Sequence, residues 1–199
     1  MRTRILMVLG AIVGLGCIAG TAQAGLLPTN FDVKAEGGNF RYVYSVTLTD
    51  NEELRPGDYF TIYDFAGFVP GSVTVPDTLP WVWTTNFSGV TPVGLAPTDD
   101  PTIPNFTFQY VGDEVIPGPV GLGDFTLVST IGESVNGNYF TSRTHRLDGN
   151  FVHQLTPARV PVKRDDGVTV PEPTSLALLG LGLPLIGAYR SLRNRRRQG

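Results

Sequence analysis

The chain has 199 residues and a formal net charge of −3, but this charge is unevenly distributed. Residues 25–169 carry 17 acidic and 8 basic side chains, a net charge of −9, and seven of the 15 lysines and arginines lie in the terminal segments. A domain with this charge is poorly suited to nucleic acid or anionic lipid, so we expect neither as a partner.

The N-terminus predicts a secretory signal peptide over residues 1–24. Two arginines precede an apolar run over residues 5–18, and an A-x-A cleavage site follows at Ala22 and Ala24. This order is typical of a signal peptide that enters the secretion translocon, and the run is short for a membrane span. We therefore expect a signal helix that is removed and a mature chain that begins at Gly25.

Cys17, the only cysteine, lies in that apolar run. It is either a small apolar side chain of the discarded segment or the acylated cysteine of a lipobox. Gly14 stands where a lipobox usually has leucine, and the A-x-A site lies downstream, so the first interpretation is favoured. On either interpretation the mature chain has no disulfide, no Cys-ligated metal and no thiol nucleophile.

Residues 25–164 predict an all-β exported domain, because glycine and proline recur between segments rich in Val, Thr, Ile, Phe and Tyr. The clearest strand is 40–49, where aromatic and aliphatic residues alternate with polar ones. Further strands are predicted at 59–65, 72–75, 81–87, 106–111, 124–131, 138–143 and 158–163. Strands at this spacing predict a single antiparallel β-sandwich, Ig-like or jelly-roll-like, with a barrel as the alternative.

Two connections between these strands have recognisable chemistry. Residues 50–53 are all polar and predict a polar connection. Asn136 and Gly137 form a favoured two-residue turn, which predicts a hairpin that joins residues 125–134 to residues 138–146.

The C-terminal segment follows a linker at residues 165–170 and has three parts. The tetrapeptide Val170-Pro171-Glu172-Pro173 precedes an uncharged apolar run at 174–189, and a basic end occupies 190–197. The arginines of that end are Arg190, Arg193, Arg195, Arg196 and Arg197. Because arginines beside an apolar segment stay in the cytoplasm, the run predicts a single transmembrane helix with the Pro-Glu-Pro motif at its outer end. Sixteen residues span only about 24 Å, which favours a temporary stay in the membrane.

This three-part order resembles the PEP-CTERM sorting domain of exported bacterial proteins, with the sorting signal at residues 171–197. The resemblance implies processing by exosortase, a membrane cysteine protease, in a Gram-negative-type bacterium that makes extracellular polysaccharide and biofilm. It implies insertion in the inner membrane during sorting, and a final place at the cell surface or in the extracellular matrix. The resemblance also implies that Val170 to Pro173 are the motif that the protease recognises. A permanently anchored single-pass surface protein is the alternative.

Residues that could carry chemistry are few. The two histidines, His145 and His153, lie in no metal-binding motif, and His145 is interpreted as part of an exposed basic edge. The acidic pairs 99–100, 113–114 and 165–166 could bind Ca²⁺ or act on a glycosidic bond, but adjacent acids in such loops are more typical of solvated turns. We therefore predict no catalytic residue, no metal ligand and no cofactor.

Trp81 and Trp83 lie two residues apart on a predicted strand, so their indoles share one face. If exposed, they would form a platform for sugar rings; if buried, they belong to the core, which is the usual place for aromatic pairs. The sequence favours a non-enzymatic adhesion or polysaccharide-associated module, and a secreted carbohydrate-active hydrolase is the alternative.

Overall fold

The computed structural model describes residues 25–162, where all regular structure is β. The ten strands are β1 (Leu26–Glu36), β2 (Asn39–Leu48), β3 (Glu52–Leu54), β4 (Tyr59–Ile62), β5 (Trp81–Asn86), β6 (Asn105–Tyr110), β7 (Ile116–Pro117), β8 (Val120–Ser129), β9 (Ser134–Arg146) and β10 (Phe151–Pro161). Their pairings are antiparallel, which confirms the predicted all-β class. The predicted signal helix and transmembrane helix lie outside the described residues.

The strands form two sheets that share one core. The first sheet has the order β1-β2-β8, and the second has the order β5-β6-β4-β9-β3-β7 with β10 paired to β9. The inner faces of both sheets contribute to a single cluster of buried apolar side chains, so the domain is sandwich-like. Residues 25–162 therefore contain both sheets and the complete core between them.

Strand β2 shows why the first sheet forms. Tyr42, Tyr44, Val46 and Leu48 are buried, while Ser45 and the other intervening polar residues are more exposed. Apolar side chains at every second residue give the strand one apolar face, which is stable only when a second layer covers it. The predicted strand at 40–49 matches β2 to within one residue at each end.

Phe60 on β4 joins the two layers. Its ring stacks on Phe108 at 4.9 Å and on Phe140 at 5.1 Å within its own sheet. It also meets Phe125 of the first sheet edge-to-face, with ring centroids 4.8 Å apart. Each fully buried ring contributes about 2–3 kcal/mol of transfer free energy, and such ring pairs add about 1 kcal/mol.

The predicted hairpin at Asn136 and Gly137 is wrong. Both residues lie inside β9, and neither has the positive φ that a two-residue hairpin turn requires. Strand β8 pairs with β2 in the first sheet, whereas β9 belongs to the second sheet, so residues 130–133 cross between layers.

A hairpin with a two-residue turn lies instead between β1 and β2. Gly37 and Gly38 have φ of 57° and 88°, and Glu36 pairs with Asn39 across them. Two successive positive φ values match the twist of the strands, and glycine adopts them without strain. Sequence reasoning missed β1 because its polar residues and a bulge after Pro28 obscure the alternation.

Three further predictions on strands need correction. Residues 52 and 53 do not belong to a polar connection, because Glu52 and Glu53 are buried in strand β3. The predicted strand at 72–75 is reduced to an isolated bridge between Thr74 and Thr126. Strand β10 begins at Phe151, seven residues before the predicted start at 158.

Candidate functional site: a cleft on the outer face of the second sheet

The outer face of the second sheet is its face away from the core, and β4 defines it locally. Phe60 and Ile62 point into the core, so Tyr59 and Thr61 point outward. Cross-strand pairing places Gln109 of β6 and Arg143 of β9 on either side of Tyr59. An aromatic ring, an amide and a guanidinium therefore lie side by side.

A cleft of about 290 Å³ opens on this surface. Apolar, hydroxyl, amide and guanidinium groups all contribute to its lining. The lining residues of this outer-face cleft are Tyr59, Val82, Thr84, Val90, Thr107, Gln109 and Arg143. They come from four adjacent strands and from the long connection between β5 and β6, so no short sequence motif encodes them.

The connection between β5 and β6 crosses the outer face and walls the cleft. The backbone carbonyl of Val90 accepts hydrogen bonds from Thr61 Oγ1 at 3.1 Å and from the Tyr63 hydroxyl at 3.0 Å. Farther along, the carbonyl of Val93 lies 3.2 Å from His153 Nδ1 on β10. A Cβ at Gly89 would collide with the Tyr63 ring, so glycine permits this close approach.

Arg143 is held at one end of the cleft by contacts on several sides. Its guanidinium lies 4.8 Å from the ring centre of Tyr59 and 5.0 Å from that of Phe151, which are cation–π distances. Its Nη2 donates a hydrogen bond of 2.6 Å to the carbonyl of Gly57, and its Nε lies 4.0 Å from Asp58 Oδ1. A pre-oriented guanidinium costs little entropy when it binds a ligand.

Asp58 supports this end of the cleft from below. Its side chain is fully buried, and Oδ2 accepts a hydrogen bond from the Arg55 backbone at 2.8 Å and lies 3.0 Å from His145 Nδ1. Burial raises the pKa of Asp58, and the hydrogen bonds from His145 and from the Arg55 backbone oppose this. The turn with Gly57 at φ 91° places the carboxylate there.

The interpretation of His145 as an exposed basic edge is wrong. Only 12% of its side chain is exposed, because the ring packs on Phe151 at 4.5 Å and faces Asp58. The Asp58 carboxylate comes from a turn that precedes β4, and sequence spacing gave no signal of this partnership. An imidazole oriented by a buried carboxylate can transfer protons, but His145 is not among the residues that line the cleft.

A second acidic group lies at the far end of β4. Asp64 is 6% exposed, its backbone N–H donates to Asn105 Oδ1 at 2.8 Å, and its Oδ1 accepts from the Asp100 N–H at 2.8 Å. Burial, helped by the charges of Asp99 and Asp100, raises the pKa of Asp64 to about 6. The structure thus brings the predicted pair 99–100 to a third carboxyl group.

Asp99 and Asp100 accept hydrogen bonds from within the domain. Asp99 Oδ1 accepts a hydrogen bond from the Asn105 amide at 2.7 Å, and Asp100 Oδ1 accepts two from Thr102. Within residues 25–162, no group of three or more His, Cys, Asp or Glu side chains is arranged to hold a metal ion. The acidic pair 165–166 lies outside the described residues.

Trp81 and Trp83 share one face as predicted, but they do not form an exposed platform. Trp81 is 7% exposed and packs edge-to-face on Phe60 and Phe125 in the core. Trp83 is 38% exposed at the border of the same face, 6.2 Å from Phe106. The core alternative therefore holds for Trp81, and Trp83 alone offers an accessible indole.

The remaining predicted site residues lie outside the described residues. These are the cleavage-site residues Ala22 and Ala24, the motif Val170, Pro171, Glu172 and Pro173, and the arginines Arg190, Arg193, Arg195, Arg196 and Arg197. Among the described residues, no helix has the length and apolar character needed to span a membrane.

The described domain is of an all-β, sandwich-like class, and a sorting signal follows it in the chain. Residues 169–197 match the family model of the PEP-CTERM protein-sorting motif, which confirms the resemblance of the tail. The motif indicates an exported protein that is handled at the membrane and processed by exosortase, a membrane protein. No curated protein and no solved structure was found to match the chain.

Proposed function

We propose that residues 25–162 form a non-enzymatic module that associates with neutral polysaccharide through the outer-face cleft, at the cell surface or in the extracellular matrix. The mixed lining of the cleft carries this proposal. Thr84, Thr107, Gln109 and Arg143 offer hydrogen-bonding groups, while Val82 and Val90 offer apolar surface. A sugar ring has hydroxyls on its rim and apolar C–H groups on its faces, so it needs both kinds of contact.

The charge of the domain favours a neutral polymer. Residues 25–162 carry 15 acidic and 6 basic side chains, a net charge of −9, which repels polymers of uronic acids. Arg143 is the one charged residue in the lining, and its guanidinium already lies near the buried Asp58 carboxylate. We therefore expect Arg143 to donate hydrogen bonds to hydroxyl groups.

The same lining supports binding over hydrolysis. Most glycosidases use two carboxyl groups on opposite sides of the scissile bond. None of the seven residues that line the cleft is Asp or Glu. The buried carboxyl group of Asp58 lies beneath Arg143 and accepts hydrogen bonds within the domain.

The experiment measures affinity and turnover on the same samples. Purified residues 25–162 are titrated with neutral glucans, mannans and xylans and with acidic alginate, and each mixture is assayed for released sugar ends. We expect neutral polymers to bind, and Gln109→Ala to weaken binding about fivefold, which is the net value of one hydrogen bond. The matched control is Gln154→Ala, an amide of β10 that is not in the cleft.

Three outcomes would count against the proposal. Equal binding by Gln109→Ala and the parent would place the ligand elsewhere. Preference for alginate would contradict the argument from charge. Release of sugar ends that scales with protein concentration would favour the hydrolase alternative.

A further inference from the structure

Strand β5 is an open edge of the second sheet and differs from the other edge strands. It pairs with β6 on one side only, over six residues without a register shift. Its sequence, Trp81–Asn86, contains no charged residue and no proline. A regular, uncharged edge strand presents unpaired backbone groups that favour pairing with another strand.

The other edges carry the features that usually prevent such pairing. Strand β1 contains a proline, three charged residues and a bulge between Pro28 and Asn30. Strand β10 contains two prolines, an arginine and a bulge between Thr156 and Ala158. Strand β7 has two residues and ends in Pro117. Strand β8, the remaining edge, carries Asp124, pairs with β2 through a register shift and is bridged at Thr126 and Ser129 by Thr74 and Phe68. Because these four edges are protected, the lack of protection at β5 is specific to that strand.

The orientation of the backbone at β5 can be read from one hydrogen bond. The N–H of Val111 donates to the carbonyl of Pro80 at 3.0 Å, so positions 80 and 111 form a hydrogen-bonded pair. Antiparallel ladders alternate, so Val82 and Thr84 bond to β6. The N–H and C=O groups of Trp81, Trp83 and Thr85 therefore point away from β6, toward the open edge.

We propose that β5 pairs with β5 of a second copy of this chain, antiparallel, with Trp83 opposite Trp83 on a two-fold axis. This register keeps each pair on one face of the joined sheet: Val82 lies opposite Thr84, and Trp81 lies opposite Thr85. It forms about six backbone hydrogen bonds. It also brings together two indoles that are each 38% exposed in the single chain, a favourable cross-strand pair.

The distribution of charge makes β5 the edge that a second copy can approach. The domain carries −9 and repels itself over most of its surface. Residues 78–98 are 21 consecutive positions without a charge, and they include all of β5 and most of the following connection. Two copies that meet at β5 thus bring no carboxylates of this segment together. In a two-fold symmetric contact the same strand serves both sides, so no partner of different sequence is required.

The pairing does not depend on the polysaccharide proposal, but it has a consequence for it. Val82 and Thr84 belong both to β5 and to the lining of the cleft. In the joined sheet the two clefts open on the same face near the two-fold axis. A polymer that reaches both would bind as a bivalent ligand, with a higher apparent affinity than a single cleft provides.

Cysteine cross-linking in the full chain tests the strand and its register, with Cys17 replaced by serine in every variant. Opposed residues lie about 4.5–5.5 Å apart between Cα atoms, within reach of a disulfide. We expect a mixture of Val82→Cys and Thr84→Cys chains to form a covalent dimer on oxidation, and Trp83→Cys to form one alone. Adding Thr85→Pro, which removes an edge-facing N–H, should abolish both products.

Phe151→Cys is the matched control, since Phe151 is a large exposed apolar residue on the protected strand β10. Limited proteolysis reports whether each variant is folded, and a small maleimide reports whether its cysteine is accessible. Folded, accessible chains that stay monomeric would overturn the proposal, as would equal cross-linking of Phe151→Cys. If Trp83→Cys is unfolded, the Val82→Cys and Thr84→Cys mixture decides alone, because both side chains are exposed.

Discussion

Asp58 Oδ2 lies 3.0 Å from Nδ1 of His145, although 87 positions separate the two residues in the chain. This contact ties the turn before β4 to strand β9, next to the point where Arg143 packs on Tyr59. The geometry of the outer-face cleft therefore depends on a buried carboxylate that does not line it. The contact has consequences for stability that can be measured.

Replacing Asp58 with alanine should lower the free energy of unfolding by about 1–3 kcal/mol, the cost of leaving buried polar groups without their partner. The change removes the buried partner of His145, the acceptor for the Arg55 N–H and the anion nearest to the partly exposed Arg143. Asp58→Asn keeps an acceptor oxygen and should cost less. Denaturant unfolding of residues 25–162 measures both, and an Asp58→Ala domain as stable as the parent would refute the importance of this contact.

Asp64→Asn should stabilise the domain at neutral pH. The folded state raises the pKa of Asp64 from 3.8 to about 6, so folding favours its protonated form. Its contribution to stability is thus fully present below pH 4 and is lost as the pH rises through about 6. Asparagine keeps the acceptor for the Asp100 N–H, tolerates the φ of 53° and has no charge to lose.

The measurement compares Asp64→Asn with the parent by denaturant unfolding at pH 4 and pH 7.5. From pH 4 to pH 7.5, the free energy of unfolding of the variant should rise by about 1–3 kcal/mol relative to that of the parent. The control, Asp113→Asn, lies at an exposed position and should change stability by less than about 0.5 kcal/mol. If the stability of Asp64→Asn and that of the parent changed in parallel with pH, the raised pKa of Asp64 would be contradicted.

Gly89→Ala should displace the connection that walls the cleft. The added Cβ would overlap the ring of Tyr63, whose hydroxyl bonds to Val90 and Thr141, so either the ring or the loop must move. We expect a loss of about 1–3 kcal/mol in stability. Gly121→Ala is the control, because a Cβ there meets no atom within 4 Å. Equal stability of the two variants would show that the loop does not rest on Tyr63.

The sorting signal should determine the C-terminus of the protein recovered from its native host. We expect cleavage by exosortase near Val170 to Pro173, which gives a mass well below that of a chain ending at Gly199. Glu172→Ala should reduce this trimming, because Glu172 is the lone charge of the motif and stands between its two prolines. A mature protein that still ends at Gly199 would favour the permanent anchor, and normal trimming of Glu172→Ala would contradict the role of Glu172.

The amino-acid sequence by itself determined the parts whose signals are local. The order of motif, apolar run and arginines in the tail is a linear pattern, and the match at residues 169–197 confirms the resemblance. Alternation in β2 is equally local, because side chains on a strand point to opposite faces at every step. The all-β class follows from many such segments separated by glycine and proline.

Only the tertiary structure decided which strands pair, because pairing depends on which of the two sheets each strand joins. Asn136 and Gly137 have the composition of a hairpin turn, yet the chain stays extended there because β8 and β9 bury their apolar faces in different sheets. The same holds for the outer-face cleft. Its residues come from four strands, and Asp58 reaches His145 only when β4 and β9 lie side by side. Contacts of such long sequence separation leave no local pattern, so the tail was readable from sequence and the cleft was not.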